Sequence, residues 1–129
     1  MSTFTFQNIY AWQKAHEFTR LVYYITRHFP EDERFGLTSQ FRRAAVSIGA
    51  NIAEASGATS KKDFLAKVHI SFRECSETKY WLEILHESEY LTDAEFQSIY
   101  DDCIELRKLL SSITKTTRIN INNSKEIEE

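Results

Sequence analysis

The chain has 129 residues, 42% of them hydrophobic and 27% charged, with only three glycines and one proline. That length makes one domain, able to hide roughly two-thirds of its unfolded surface in a single core, and so few turn residues imply long elements, hence helices. The net charge of −3 argues against a protein that coats nucleic acid by charge alone, and the absence of any apolar run of signal-peptide or membrane-spanning length points to the cytoplasm, where Cys75 and Cys103 are expected as reduced, buried small hydrophobes.

The first periodic segment runs from about Ile9 to Phe29, placing Trp12, Ala15, Phe18, Leu21, Val22, Ile25 and Phe29 at steps of three and four before Pro30. "PEDERFGL" reads as a connector. Thr38 or Ser39 can cap a second helix that reaches about Ser56, where Gly57 supplies a stop. Ser60 with Asp63 forms a capping-box variant and opens a third helix, striped by Phe64, Val68, Phe72, Cys75, Leu82 and Leu85 and ending near Glu89. Thr92 with Glu95 forms a second box, and Phe96, Ile99, Cys103, Leu106, Leu109, Leu110 and Ile113 mark the fourth helix. The predicted architecture is an all-α, antiparallel up-and-down four-helix bundle over residues 1–116, followed by a polar, flexible tail over residues 117–129.

The second helix is unusual. Phe41, Ala44, Ala45, Ile48, Ile52 and Ala55 cluster on one side as core, yet the opposite side carries Arg43, Ser47, Ala50 and Glu54, flanked by Val46, Asn51 and Ala53. Such residues are too small and too weakly charged for an ordinary solvated face, and a helix of this kind is normally covered on both sides. Arg43 and Glu54 lie about 16 Å apart along the axis, so their partners come from elsewhere. Helix three offers a second stripe of Ile70, Glu74, Glu77, Trp81 and Ile84, in which Glu74 or Glu77 suits Arg43. Self-association through Arg43, Ser47, Asn51, Glu54, Glu74, Glu77 and Trp81 is the expectation; the alternative is that the small residues permit close helix crossing within one chain.

Charge is unevenly distributed along the sequence. Basic residues Arg34, Arg42, Arg43, Lys61, Lys62 and Lys67 outnumber acids in the middle, whereas acids dominate from Glu74 to Glu105. Lys61 and Lys62 in the first turn of helix three oppose the helix dipole, a cost of about 0.3–1 kcal/mol each that a phosphate offsets. Together with Arg42, Arg43 and Lys67 they form a candidate nucleic-acid-binding annulus for RNA or DNA. Glu83-x-x-His86 has the spacing of half a di-metal site, but no second pair accompanies it. With no nucleophile motif or Gly-rich phosphate loop, neither an enzyme, a cofactor, a metal nor a small-molecule substrate is expected.

The segments "YAWQKAHEF", "FPEDERFGLTSQFRRAAVSIGANIAEASG", "SKKDF" and "ECSETKYWLEIL" together resemble the ribosomal-protein-like family of four-helix-bundle proteins encoded in 23S rRNA intervening sequences. The resemblance implies a left-handed up-and-down bundle that assembles as a ring-shaped homopentamer, with no established activity for most members. Related bundles act as basic, nucleic-acid-binding accessory proteins of diversity-generating retroelements, which makes a nucleic-acid-binding accessory factor the alternative function. Gly49 stands where many relatives have proline, Ala55 where glycine is common, and Ala58 where a basic residue is common.

Overall fold

A computed structural model describes residues 5–128; residues 1–4 of the expected bundle and residue 129 of the expected tail lie outside them. Four α-helices follow one another: α1 Phe6–Thr26, α2 Ser39–Ala55, α3 Lys61–Glu87 and α4 Asp93–Glu128. Cross-helix bonds establish antiparallel neighbours throughout. Thr26 meets Arg42 and Thr19 meets Ala45 between α1 and α2; Glu54 meets Lys67 and Arg43 meets Glu77 between α2 and α3. Ser76 meets Arg107, and Lys61 meets Ser124, between α3 and α4. Lys14 closes the square by reaching Glu105 of α4 at 3.5 Å. Among the described residues there is no strand.

Each helix contributes one stripe to a common core, with Phe18, Phe41, Ile48, Phe64, Leu82, Leu85, Leu106 and Leu110 all but inaccessible to water. The stripes follow the sequence period, with two corrections in α1. Trp12 and Leu21, expected inside, sit at the edge and are each 38% exposed. Ala11, Ala15, Phe18 and Val22 line the interior instead, with Ala15 standing where α1 crosses Gly49 of α2.

Buried hydroxyls are accommodated by carbonyls. Thr114 and Thr117 of α4 donate to the carbonyls of Leu110 and Ile113 at 2.9 and 2.8 Å, which satisfies them inside the protein. The helix continues beyond Ile113: residues 117–128, read as a polar tail, belong to α4, and Ser124 accepts from Lys61 at the start of α3.

The helix ends divide between local and tertiary causes. Ser60 Oγ accepts from the Asp63 amide at 3.0 Å, while Thr92 and Glu95 complete a reciprocal box at 3.1 and 2.9 Å, as their spacing predicts. Neither Thr38 nor Ser39 caps α2. The connector coils instead into a 3-10 turn, Glu31–Glu33, and a π turn, Arg34–Thr38, that runs straight into the helix, with Thr38 itself helical. Gly57 adopts no left-handed conformation; α2 closes by tightened bonds from the Ser56, Gly57 and Ala58 amides to carbonyls three residues back. The left-handed position belongs to Glu89, φ 65°, in a Schellman motif where Tyr90 N–H bonds Leu85 O at 2.9 Å and Glu89 N–H bonds His86 O at 3.1 Å.

A side chain at such a position is strained, and glycine is not. Glu89→Gly is therefore expected to stabilise the chain by about 1 kcal/mol, read as a rise of about 3–5 °C in a thermal melt.

Candidate assembly face and basic clusters

The outward side of α2 divides into two edges. Toward α1, the helices cross closely: a Cβ built on Gly49 would lie 3.7 Å from that of Ala15, and Thr19 Oγ1 sits 3.1 Å from the Ala45 carbonyl. Just outside this crossing, Trp12 and His16 of α1, stacked with ring centroids 5.2 Å apart, face Val46, Gly49, Ala50 and Ala53 across a shallow groove. Ile9 and Ser56 extend it toward the end of α2. Val46 is 43% and Ile9 41% exposed, and no Lys, Arg, Asp or Glu lines the groove.

Toward α3, the charges of α2 find partners within the chain. Arg43 Nη2 lies 3.6 Å from Glu77 Oε1, which also accepts from Trp81 Nε1 at 3.3 Å, and Glu54 pairs with Lys67 at 3.3 Å. Asn51 donates to the Ser47 carbonyl and hydroxyl at 2.8 and 3.1 Å, which keeps both side chains on their own helix. Glu74 differs. One of its oxygens is buried with no partner, and burial, followed by proton sharing with Glu77, raises its pKa from the ordinary 4.5 against the opposing pull of Arg43 and Arg73. Of the seven expected interface residues, the structure thus joins Arg43, Glu77 and Trp81 through one carboxylate, links Ser47 to Asn51, and turns Glu54 to Lys67.

The five basic candidates do not form one patch. Because α2 and α3 are antiparallel, Arg43 contacts Glu77, sixteen residues along α3 from Lys61, or about 24 Å of helix. Arg42 and Arg43 therefore lie at one end of the bundle; Lys61, bonded to Ser124 at 3.4 Å, the exposed Lys62, and Lys67, paired with Glu54, lie toward the other. What surrounds Arg42 was hidden from the sequence pattern. The end of α1 and the π turn bring Arg27, Arg34 and Thr38 around it, residues that share no helical face.

Elsewhere the chemistry is quiet. Glu83 pairs with Lys79 at 3.4 Å while His86 bonds Asp93 at 2.7 Å, so the two do not act together. No group of three His, Cys, Asp or Glu able to hold a metal occurs among the described residues. Cys75 and Cys103 are free and buried, each thiol donating to the other's carbonyl at 3.7 Å; the neighbouring thiol and burial push Cys75 strongly toward its protonated form. Among the described residues no helix is long and apolar enough to cross a membrane.

The fold and its surface define an all-helical antiparallel bundle whose distinguishing features lie on its outer faces and not in an enclosed cleft. The chain belongs to the 23S rRNA-intervening sequence protein family, whose profile it matches over residues 7–112. It is similar to a protein of unknown function from the S23 ribosomal protein family of Bacteroides thetaiotaomicron, solved by crystallography. The two share 40% sequence identity over 84% of this chain and 98% of that one, with a TM-score of 0.77. No curated protein matches.

The Arg43–Glu77 pair is open to water, so Arg43→Ala should cost less than about 1 kcal/mol in a denaturant titration. Glu74 acts in the opposite sense to a salt-bridged acid. Its raised pKa means its contribution is fully present below pH 4.5 and is lost as pH rises through the folded-state value. Glu74→Gln should therefore gain stability over the parent as melts are moved from acid to neutral pH.

Proposed function

We propose that this protein is a non-catalytic, cytoplasmic bundle that assembles with copies of itself, using the groove between α1 and α2 as one contact surface. The observation that supports this most directly is the uncharged strip formed by Ile9, Trp12, Val46, Ala50 and Ala53, which water touches in the single chain. Small residues at the α1–α2 crossing explain Ala15, Ala45 and Gly49, but they do not explain why Ala50 and Ala53, which lie outside it, carry no polar group.

A second copy is the occupant that best suits the geometry. Closed rings need two different patches on each protomer, one meeting the other head to tail. The far edge of α2 supplies a second surface, where Ile70 is exposed and Trp81 half-buried on α3 beside Glu74 and its partnerless oxygen. Five protomers is the number implied by the family resemblance. The free, buried thiols suit a reducing compartment. Nucleic-acid binding through Lys61, Lys62 and Lys67 acting with Arg42 and Arg43 has no support within one chain, because the bundle separates them.

Multi-angle light scattering on the purified chain should give a mass several times 15.1 kDa at micromolar concentration. Ala50→Glu or Ala53→Glu, each placing a charge in the groove, should release single chains with unchanged helical circular dichroism. A parent protein of single-chain mass under these conditions would overturn the reading.

A further inference from the structure

Where α1 passes into α2, the end of the bundle carries two depressions of about 380 and 370 Å³. Arg34, Thr38 and Arg42 line both; Arg27 lines the first and Arg43 the second. Four arginines thus line a region whose lining includes one acidic residue, Glu31; Arg43 is paired with Glu77 of α3, which does not line it. Among the described residues, Arg27, Arg34 and Arg42 form no ion pair. Like charges gathered in this way repel each other, and an anion between them reverses the sign of that interaction. Arg42 is already held in place: its Nε donates to Thr26 Oγ1 at 2.7 Å, and its guanidinium lies 4.6 Å from the centre of the Tyr23 ring.

Thr38 is the independent sign that something is missing. It is 6% exposed, and its hydroxyl oxygen is buried without a partner. Thr26, Thr114 and Thr117 each donate to the carbonyl four residues back. Thr38 ends the π turn Arg34–Thr38, whose bonds run five residues back, and it makes no such contact. An unsatisfied buried hydroxyl is costly, and π-helical turns are concentrated at functional sites. At the rim, Phe35 is 87% exposed with the Arg34 guanidinium 5.4 Å from its ring centre, a flat apolar face left in water.

We propose that this double depression binds the phosphate of a nucleotide, either free or within a single RNA strand. Guanidinium forks match phosphate oxygens two at a time. Arg34 and Arg42 take those oxygens, the Thr38 hydroxyl donates to one of them, and the Phe35 face receives the base, as exposed aromatics do for unpaired bases. The site is complete within one chain and is independent of assembly through the α1–α2 groove.

Isothermal titration of the full chain at low ionic strength with inorganic phosphate, adenosine monophosphate and a short single-stranded RNA tests it. The mononucleotide and the RNA should saturate the site, with inorganic phosphate about tenfold weaker than the mononucleotide for want of a stacked base. RNA binding more than about tenfold tighter than the mononucleotide assigns the site to a strand, and comparable affinities assign it to a free nucleotide. Arg34→Gln, at an exposed position whose guanidinium forms no ion pair among the described residues, should weaken binding about tenfold with an unchanged melt. Thr38→Val should also weaken binding while holding or raising the melting temperature, a combination that a purely structural hydroxyl would not produce. Lys62→Gln, at the far end of the bundle, should leave affinity unchanged. No saturable binding by any of the three probes, a mononucleotide no tighter than phosphate, or affinities unmoved by both Arg34→Gln and Thr38→Val would each overturn the proposal.

Discussion

Close approach of α2 to both of its neighbours is the constraint on which the rest of the bundle depends. Thr19 of α1 reaches the Ala45 carbonyl at 3.1 Å and Ser71 of α3 reaches the Ile48 carbonyl at 2.8 Å, so side chains from two sides bond the backbone of one helix. Such contact requires that no large group intervene, which is why Ala15, Ala45 and Gly49 stand at the crossing. The hydroxyls remain satisfied in a low-dielectric interior, where leaving them unpaired would be costly. Once α1 and α3 are fixed at this distance, the crossing itself admits only small side chains, while Phe18, Phe41 and Ile48 fill the core around it and Trp12 sits at the groove edge.

The charges of α2 reinforce that arrangement without creating it. Arg43 with Glu77 and Glu54 with Lys67 both run from α2 to α3 and stay partly in water, where such pairs contribute little. Their common direction matters more than their strength. Both pairs fit a single antiparallel register of α2 against α3, the register that also carries Ser71 to Ile48. Between them, Glu74 presents a buried carboxylate oxygen with no donor, so the α3 edge is the less satisfied of the two edges of α2.

What could be read from the sequence was what local chemistry decides. Ser60 with Asp63 and Thr92 with Glu95 start helices because a side chain bonds an amide three residues on, an interaction complete within four residues. Thr38 has the same chemistry but a different fate, because the preceding π turn delivers it already helical and tertiary packing buries it. Periodicity placed Phe18 and Val22 correctly but could not distinguish Leu21 or Trp12 at the margin of the stripe, where the width of the core is set by the neighbouring helix. The end of α4 was obscured by its composition: threonines that bond their own helix look polar in sequence yet are buried here.

The candidate basic residues are parted within one chain for a reason that is topological and not chemical. In sequence, Arg42 and Lys61 belong to the same basic stretch and the acids follow later; in space, the up-and-down path separates the two basic ends and returns the α3–α4 turn to the end that holds Arg42. Phe29 packs on Tyr90 with ring centres 5.5 Å apart, joining the α1–α2 connector to that acidic turn. Charge segregated along the chain is thereby mixed at the bundle end. Against that mixture Arg27, Arg34 and Arg42 still form no ion pair among the described residues; their guanidinium groups lie instead over the rings of Tyr24, Phe35 and Tyr23. Their grouping is therefore a property of backbone geometry at the connector, and neither net charge nor local charge density along the sequence could have disclosed it.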